Sequence, residues 1–342
     1  MKALDPKTRI LLSADDRTGS LEIGGLLASD QFQVPVGPAA QSNLCCVVDI
    51  ATRHLTVSEA QARMETLLSR NAEHRAHKMD AGLRGNWAQE VEVLLQAGYK
   101  VAIICAFPDA GRRCLDGVVY IHDLPVLDSV FGQDPLNPQV SSKPAEVLEH
   151  FGVRGDVVVW DANDNAQMLA QIQRAVSEDR IVVGASGAIA MCAQQFLPPS
   201  TPRGVVLKRP LLVLCGSLNT LSRDQIQRIG QPIQTLQDTP DLSTAVAVMA
   251  TPMPEGEVSN EQADSMAQQA ADATRVVWAE IESLIVIGGD TAGALVGDDT
   301  LVALGCVAPG IPVSEYDGKL LVTKGGGIGQ PDTVAELVSN ST

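Results

Sequence analysis

Aromatic side chains are scarce: Phe, Trp and Tyr make up 3% of the 342 residues. A sizeable core must then be built from Val, Leu, Ile and Ala, the composition of buried parallel strands flanked by helices. Positive charge is short as well, with 25 Lys and Arg against 41 Asp and Glu, a net charge of −16. That balance argues against nucleic acid or an anionic membrane as a main partner, because phosphate groups would be repelled. An anion can still be held by local backbone dipoles, local Arg or Lys, and Mg²⁺. The seven cysteines include no C-x-x-C pair, and Cys45-Cys46 lie in an apolar run, so they read as reduced, buried thiols. The five histidines, His54, His74, His77, His122 and His150, form no metal motif. His74 and His77 read as three apart on a helix, where they could share a ligand, though a solvated face is the preferred reading. No apolar run reaches membrane-spanning length, and the N-terminus lacks a signal-peptide pattern. The expectation is a soluble, cytoplasmic protein large enough for two domains.

Two familiar phosphate-binding signatures are missing too. Nothing reads G-x-x-x-x-G-K-[ST], and Gly325-Gly326-Gly327-Ile328-Gly329 has the wrong spacing for a dinucleotide fingerprint. A βαβ unit with an acidic residue about 20 positions on is not expected after that run. The sequence does contain a pair of glycine turns, Leu284–Ala294 and Leu320–Gln330, each preceded by an apolar run short enough for a buried strand. A glycine turn at a strand end lets backbone N–H groups approach a ligand that side chains would block. Together, with Lys324 beside the second, they read as two walls of one nucleotide pocket at the C-terminal edge of a sheet.

Upstream, Arg9–Ser20 reads as a strand ending in Asp15-Asp16 and a Thr18-Gly19 turn, with a helix from Leu21 to Ser29. Leu44–Ile50 is a second strand and Ser58–His77 a helix capped by Ser58. A loop dense in Lys78, Asp80, Arg84 and Asn86 comes next. Trp87–Gln96 is helical, Tyr99–Ala106 is a strand, and Val118–His122 is an edge strand. It leads into a Pro-rich, lid-like excursion over Pro125–Pro144. Strands at Val157–Asp161 and Arg180–Gly187 flank a helix over Asn165–Val176. Pro198–Gly204 is the best domain boundary. Beyond it come a strand over Pro210–Ser217 and a long helix over Ser259–Ile281, with Met266, Ala270, Ala273, Val277 and Ile281 on one stripe. The alternation implies α/β architecture with largely parallel sheets, in domains of 1–203 and 204–342.

These segments carry a resemblance. Ala14–Ser20, Lys78–Asn86, Phe107–Arg112, Asp134-Pro135 and Gly184–Gly187 occur in the order and spacing of the four-carbon acid sugar kinases. So do Gly216-Ser217, Gly288–Ala292, Pro309–Pro312 and Lys324–Gly329. The chain resembles the 3-oxo-tetronate, D-threonate and D-erythronate kinases over nearly its whole length. The resemblance implies an N-terminal α/β domain for the sugar acid, a C-terminal α/β domain for ATP, and an active site in the cleft between them. Three departures stand out. Arg17 replaces an apolar residue, Ala81-Gly82 replace Ser-Thr before Leu-Arg-Gly, and the chain is somewhat shorter than most members.

Phosphoryl transfer needs positioning and charge neutralisation more than covalent chemistry. A bidentate Arg is the natural clamp for a sugar-acid carboxylate, with Arg84 the first candidate and Arg112 the second; Lys78 could assist. Thr18, Gly19 and Asn86 complete the expected substrate side. Asp15, Asp16 and Asp80 are the candidate acceptors for the attacking hydroxyl's proton. Asp16 is preferred, as base or as substrate anchor. Backbone N–H groups of Gly288, Gly289 and of Gly325, Gly326 and Gly327 would cradle ATP phosphates. Ser217 and Thr291 would add hydroxyls, Lys324 a charge, and Asp290 a contact to Mg²⁺. The expectation is an ATP- and Mg²⁺-dependent kinase acting on the terminal hydroxyl of a four-carbon acid, with a homodimer plausible. The alternatives are a regulatory nucleotide- or sugar-acid-binding protein that transfers no phosphate, and a nicotinamide-dependent oxidoreductase.

Overall fold

The computed structural model describes residues 9–129, 131–132, 139–254 and 258–342. The Asp134-Pro135 motif and the centre of the expected lid lie outside the described residues. Two compact units emerge. One comprises the chain up to Ile23 with Val34–Ser200, and the other Gly24–Gln33 with Thr201–Thr342. No sequence signal marks the 24–33 segment as part of the second unit.

In the first unit the elements are β1 (Ile10–Ala14), α1 (Arg17–Leu27, its last turn in the second unit), β2 (Val34–Val36), β3 (Cys45–Asp49), α2 (Val57–Leu68), β4 (His74–Lys78), α3 (Trp87–Gln96) and β5 (Lys100–Ile104). A small antiparallel sheet comes next, of β6 (Arg112–Leu115), β7 (Val118–Ile121) and β8 (Leu124–Pro125). Then come α4 (Pro144–His150), β9 (Val157–Val159), α5 (Asn165–Ser177), β10 (Arg180–Gly184) and α6 (Ser186–Gln194). The main strands run parallel in the order β2-β3-β1-β4-β10-β5-β9. β1 and β3 are buried at every position, as strands covered on both faces must be.

The second unit contains β11 (Leu211–Cys215), α7 (Thr220–Gln227), β12 (Ile233–Gln234), β13 (Val246–Ala250), α8 (Asn260–Val276), β14 (Ser283–Ile287), α9 (Gly289–Val296), β15 (Leu301–Ala308), β16 (Ile311–Tyr316), β17 (Lys319–Lys324) and α10 (Thr333–Ser339). Its order is β12-β13-β11-β14-β17-β16-β15, with the first five strands parallel and the last two pairings antiparallel. The fold is α/β with largely parallel sheets, as the alternation predicts.

Several local expectations change. The helix expected over Ser58–His77 stops at Leu68, with Thr56 rather than Ser58 as its cap in a capping box with Glu59. His74–Lys78 is instead a strand paired on both sides, so His74 and His77 share no helix face. Its polar sequence hid it. The first helix begins at Arg17, which places Thr18 and Gly19 in its first turn. The expected edge strand over Val118–His122 is the central strand of the small sheet. The long helix ends at Val276, and a 3₁₀ turn over Trp278–Glu280 succeeds it. The β16–β17 hairpin turns through Asp317 and Gly318, both at positive φ (49° and 75°), a type I′ signal readable as Asp-Gly.

Candidate functional site

β1 and β4 run parallel and in register, Ala14 beside Lys78, so Asp15 and Asp16, just past β1, meet the end of β4 at one C-terminal edge. There the Lys78 ammonium donates to Asp15 Oδ1 and to Asp16 Oδ1, each at 2.8 Å. Arg53, which carries no sequence motif, enters from the loop after β3. Its Nε donates to Asp15 Oδ2 at 2.8 Å, and its Nη2 lies 2.8 Å from Asp16 Oδ1 and 3.4 Å from Asp80 Oδ1. Arg84 closes the cluster with a forked contact to Asp80, Nε to Oδ2 at 2.8 Å and Nη2 to Oδ1 at 3.0 Å. Three carboxylates thus face three cations. A lone Arg in a loop after an acidic strand end was the signal available for Arg53.

Burial alone would raise the Asp16 and Asp80 carboxyls. The cations outweigh it: Arg53 and Lys78 hold Asp16 well below the usual range, and Arg84 and Arg53 do the same for Asp80. Burial would likewise depress the Lys78 ammonium, but Asp15 and Asp16 raise it. The network is therefore ionised throughout the physiological range at these three groups. Exposure separates its members. The side chains of Asp15, Lys78, Asp80 and Arg53 are 1%, 6%, 8% and 11% exposed, whereas Arg84 and Asp16 reach 20% and 22%. The first four form a scaffold, and the last two are the members a solute can reach.

The remaining substrate-side residues surround this cluster in different ways. Gly19 N–H donates to Asp16 Oδ1 at 3.2 Å at the start of α1. The Asn86 amide donates to the carbonyls of Thr52 and Leu55, at 2.8 and 2.9 Å, and so ties the loop down. Arg112 is buried, with Nη1 on the Ala110 carbonyl at 2.5 Å. Arg17, the charged departure, pairs with Asp49 at the end of β3 (3.3 Å), and both are buried. Burial pushes the Asp49 carboxyl up to about 6 despite Arg17. Glu22, one turn further along α1 and also missed, accepts from Ser186 Oγ at 2.5 Å. Burial raises its carboxyl against the pull of that bond and of Arg112.

In the second unit three strand-end turns converge. Gly216 succeeds β11, Gly288 succeeds β14 and Gly325 succeeds β17, and β11, β14 and β17 are consecutive neighbours in the sheet. A Cβ on Gly216 would collide with Thr291 Oγ1, and one on Gly326 would lie 2.5 Å from Ser217 Oγ. Gly288 holds φ +127°, a conformation open to glycine. Ser217, Thr291 and the two glycine turns are thus brought together, with α9 starting at Gly289. The N–H groups of Gly216 and Ser217 are bonded to the Ile287 carbonyl, and that of Gly288, expected to cradle phosphate, is bonded to the Lys324 carbonyl, so the expected backbone donors reduce to Gly289 and to Gly325, Gly326 and Gly327. This donor set suits a polyphosphate. Asp290 is exposed at that helix start, and among the described residues no group of three or more His, Cys, Asp or Glu could hold a metal. Asp290 alone fits Mg²⁺ that arrives on phosphate oxygens and keeps most of its water.

Lys324 is almost fully buried, and its ammonium donates to the carbonyls of Gly325 (3.0 Å) and Gly326 (3.4 Å). It therefore shapes the turn. Burial brings it down to about 8, with Cys215 opposing. Below that pH Lys324 is protonated and adds a positive charge under the turn; above it the charge is lost. The Kd for ADP should therefore rise as pH passes from 7.5 to 9, measured by calorimetry. A Lys324→Arg variant, whose charge does not titrate there, should flatten the dependence. An unchanged wild-type Kd across that range would contradict it.

Residues 10–183, just over half of the chain, match the family model described as the sugar-binding N-terminal domain. A D-threonate kinase of Bordetella bronchiseptica is 26% identical, covering 94% of this chain and 94% of its own. A D-erythronate kinase of Heliobacterium modesticaldum is 22% identical over 97% and 96%. A 3-oxo-tetronate kinase of Pseudomonas savastanoi pv. phaseolicola is 23% identical over 95% of each. Among solved structures, a Salmonella typhimurium protein superposes with TM-score 0.73 at 17% identity, covering 96% of this chain and 98% of the other. A Haemophilus influenzae protein gives 0.65 at 18%, over 96% and 99%. These two speak for the fold. The chain thus carries the sugar-binding N-terminal domain and belongs to the four-carbon acid sugar kinase family that its motifs resemble.

Proposed function

We propose that the protein is an ATP- and Mg²⁺-dependent kinase that phosphorylates the terminal hydroxyl of a four-carbon sugar acid of the threonate, erythronate or 3-oxo-tetronate type. The observation that carries this reading is the convergence of three strand-end turns, Gly216-Ser217, Gly288-Gly289 and Gly325–Gly327, on one edge of the second unit's sheet. A polyphosphate is the ligand such a backbone cradle suits, and kinase-named relatives that align over nearly the whole chain support the same choice.

The acceptor acid is assigned to the first unit. Arg84, reachable and charged, attracts the carboxylate, with Arg112 and Lys78 adding positive potential. Asp16 accepts the hydrogen bond of the attacking hydroxyl and orients it. Held ionised so far below neutrality, Asp16 is a weak base, which a loose phosphoryl-transfer transition state tolerates. When bound, Mg²⁺-ATP supplies the phosphoryl group and part of the charge neutralisation. The backbone donors of the glycine turns, Ser217 and Thr291 bind its phosphates, and Asp290 meets the ion.

Phosphorus NMR of the protein with Mg²⁺-ATP and D-threonate, D-erythronate or a 3-oxo acid should show ADP and a phosphomonoester coupled to the terminal methylene protons. ATP left intact with every acid would contradict a kinase and favour the regulatory alternative. The nicotinamide alternative falls if ATP, but not NAD, raises the melting temperature.

A further inference from the structure

The face of β4 opposite the charge cluster holds a second polar chain that the chemistry above does not use. Ser13 Oγ lies 2.8 Å from His77 Nδ1, and His77 Nε2 lies 2.8 Å from Glu90 Oε2. Ser13, His77 and Glu90 are 3%, 2% and 0% exposed, so no solute reaches them. Glu90 Oε1 has no hydrogen-bond partner among the described residues. A carboxylate so placed is costly unless paired, and His77 is its partner here. The imidazole thus spends one ring nitrogen on each neighbour, Nε2 on the Glu90 carboxyl and Nδ1 on the Ser13 hydroxyl.

Position in the chain gives this pair its meaning. His77 is the residue before Lys78. Glu90 lies in the first turn of α3, its N–H bonded to the carbonyl of Asn86. The pair therefore bridges both ends of the segment 78–86, which carries Lys78, Asp80 and Arg84. That segment is not relaxed backbone: Leu83 and Gly85 sit at φ +62° and +79°. Within it, Asp80 Oδ2 accepts from the N–H groups of Gly82 (3.0 Å) and Arg84 (3.3 Å). A non-glycine residue in the left-handed region persists only where its surroundings hold it.

We propose that His77 and Glu90, backed by Ser13, are positioning residues. They clamp the two ends of the 78–86 loop and so fix Lys78 and Arg84 for the acceptor acid. The inference rests on the acceptor-site reading above, and its test separates the two.

Hydrogen exchange by mass spectrometry decides the structural half. In Glu90→Ala, peptides over 79–86 should exchange about tenfold faster while those over β3 and β5 keep wild-type protection. In Glu90→Gln, which keeps an acceptor for Nε2, exchange should return to wild type. The double variant His77→Leu/Glu90→Leu fills the space with apolar groups and guards against a misfolded single variant. It too should loosen 79–86 selectively. Exchange unchanged in the loop, or raised equally across the unit, would overturn the proposal.

Kinetics then reads the consequence. With D-threonate, D-erythronate and a 3-oxo acid tried in turn, the acid KM should rise at least tenfold in Glu90→Ala and in the double variant. The KM for Mg²⁺-ATP should stay unchanged, and Glu90→Gln should restore the acid KM. Equal changes in both KM values, or none, would overturn it. If the wild type turns over no acid, the kinase reading falls while the exchange result still decides the clamp.

Discussion

Lys78→Met is expected to lower the unfolding free energy by about 3–5 kcal/mol, the usual penalty for removing one partner of a buried ion pair. Met keeps most of the stem's packing, so the loss isolates the charge. Lys78 is 5% exposed and donates to two carboxylates at once, Asp15 and Asp16. Without it, among the described residues, Arg53 is the cation left facing both acids, and Asp15 loses one of its two charged donors. The denaturant midpoint should fall with an unchanged slope, because the variant alters stability and leaves the surface exposed on unfolding as it was. Acceptor turnover should disappear as well, since Asp16 would no longer be held in place. A loss of less than about 1 kcal/mol, the range of exposed pairs, would show that these charges are solvated in solution.

Gly216→Val is expected to weaken Mg²⁺-ADP binding about a hundredfold, roughly 2.7 kcal/mol, while the first unit keeps its fold. Any Cβ at Gly216 runs into Thr291 Oγ1, and Thr291 is itself buried in the first turn of α9. Neither partner can retreat without moving the start of α9 or the end of β11. The phosphate turns separate by the width of a methyl group, and the convergence is lost. Overpacking should add a stability cost of about 1–3 kcal/mol. A Kd within twofold of wild type would mean that the turns do not share a ligand.

Much of the fold was legible because its strands are continuous apolar runs ending in acid or glycine. Leu211–Cys215 and Ser283–Ile287, both fully buried, need no tertiary information to be read as covered strands. The edge carrying Asp15 and Asp16 was readable for the same reason. The misreadings arose where tertiary pairing overrides local pattern. His74–Lys78 has one alanine among four polar residues, and only Glu90 and Ser13, far off in sequence, make His77 acceptable inside a sheet. Arg53 escaped notice because a lone arginine in a loop carries no motif. Its value comes from three acids that converge only in space. Arg84 was foreseen as a cation for the acid, but its fork onto Asp80 depends on the loop geometry that Leu83 and Gly85 impose.

The most direct measurement is steady-state ADP release from Mg²⁺-ATP against D- and L-threonate, D- and L-erythronate and their 3-oxo forms, in wild type and Asp16→Asn. Acid-dependent release on at least one compound, reduced about 10²–10⁴-fold in Asp16→Asn, is the predicted result. ATP binding without release on any acid, or release indifferent to Asp16, would contradict the kinase assignment and the acceptor site built around that residue.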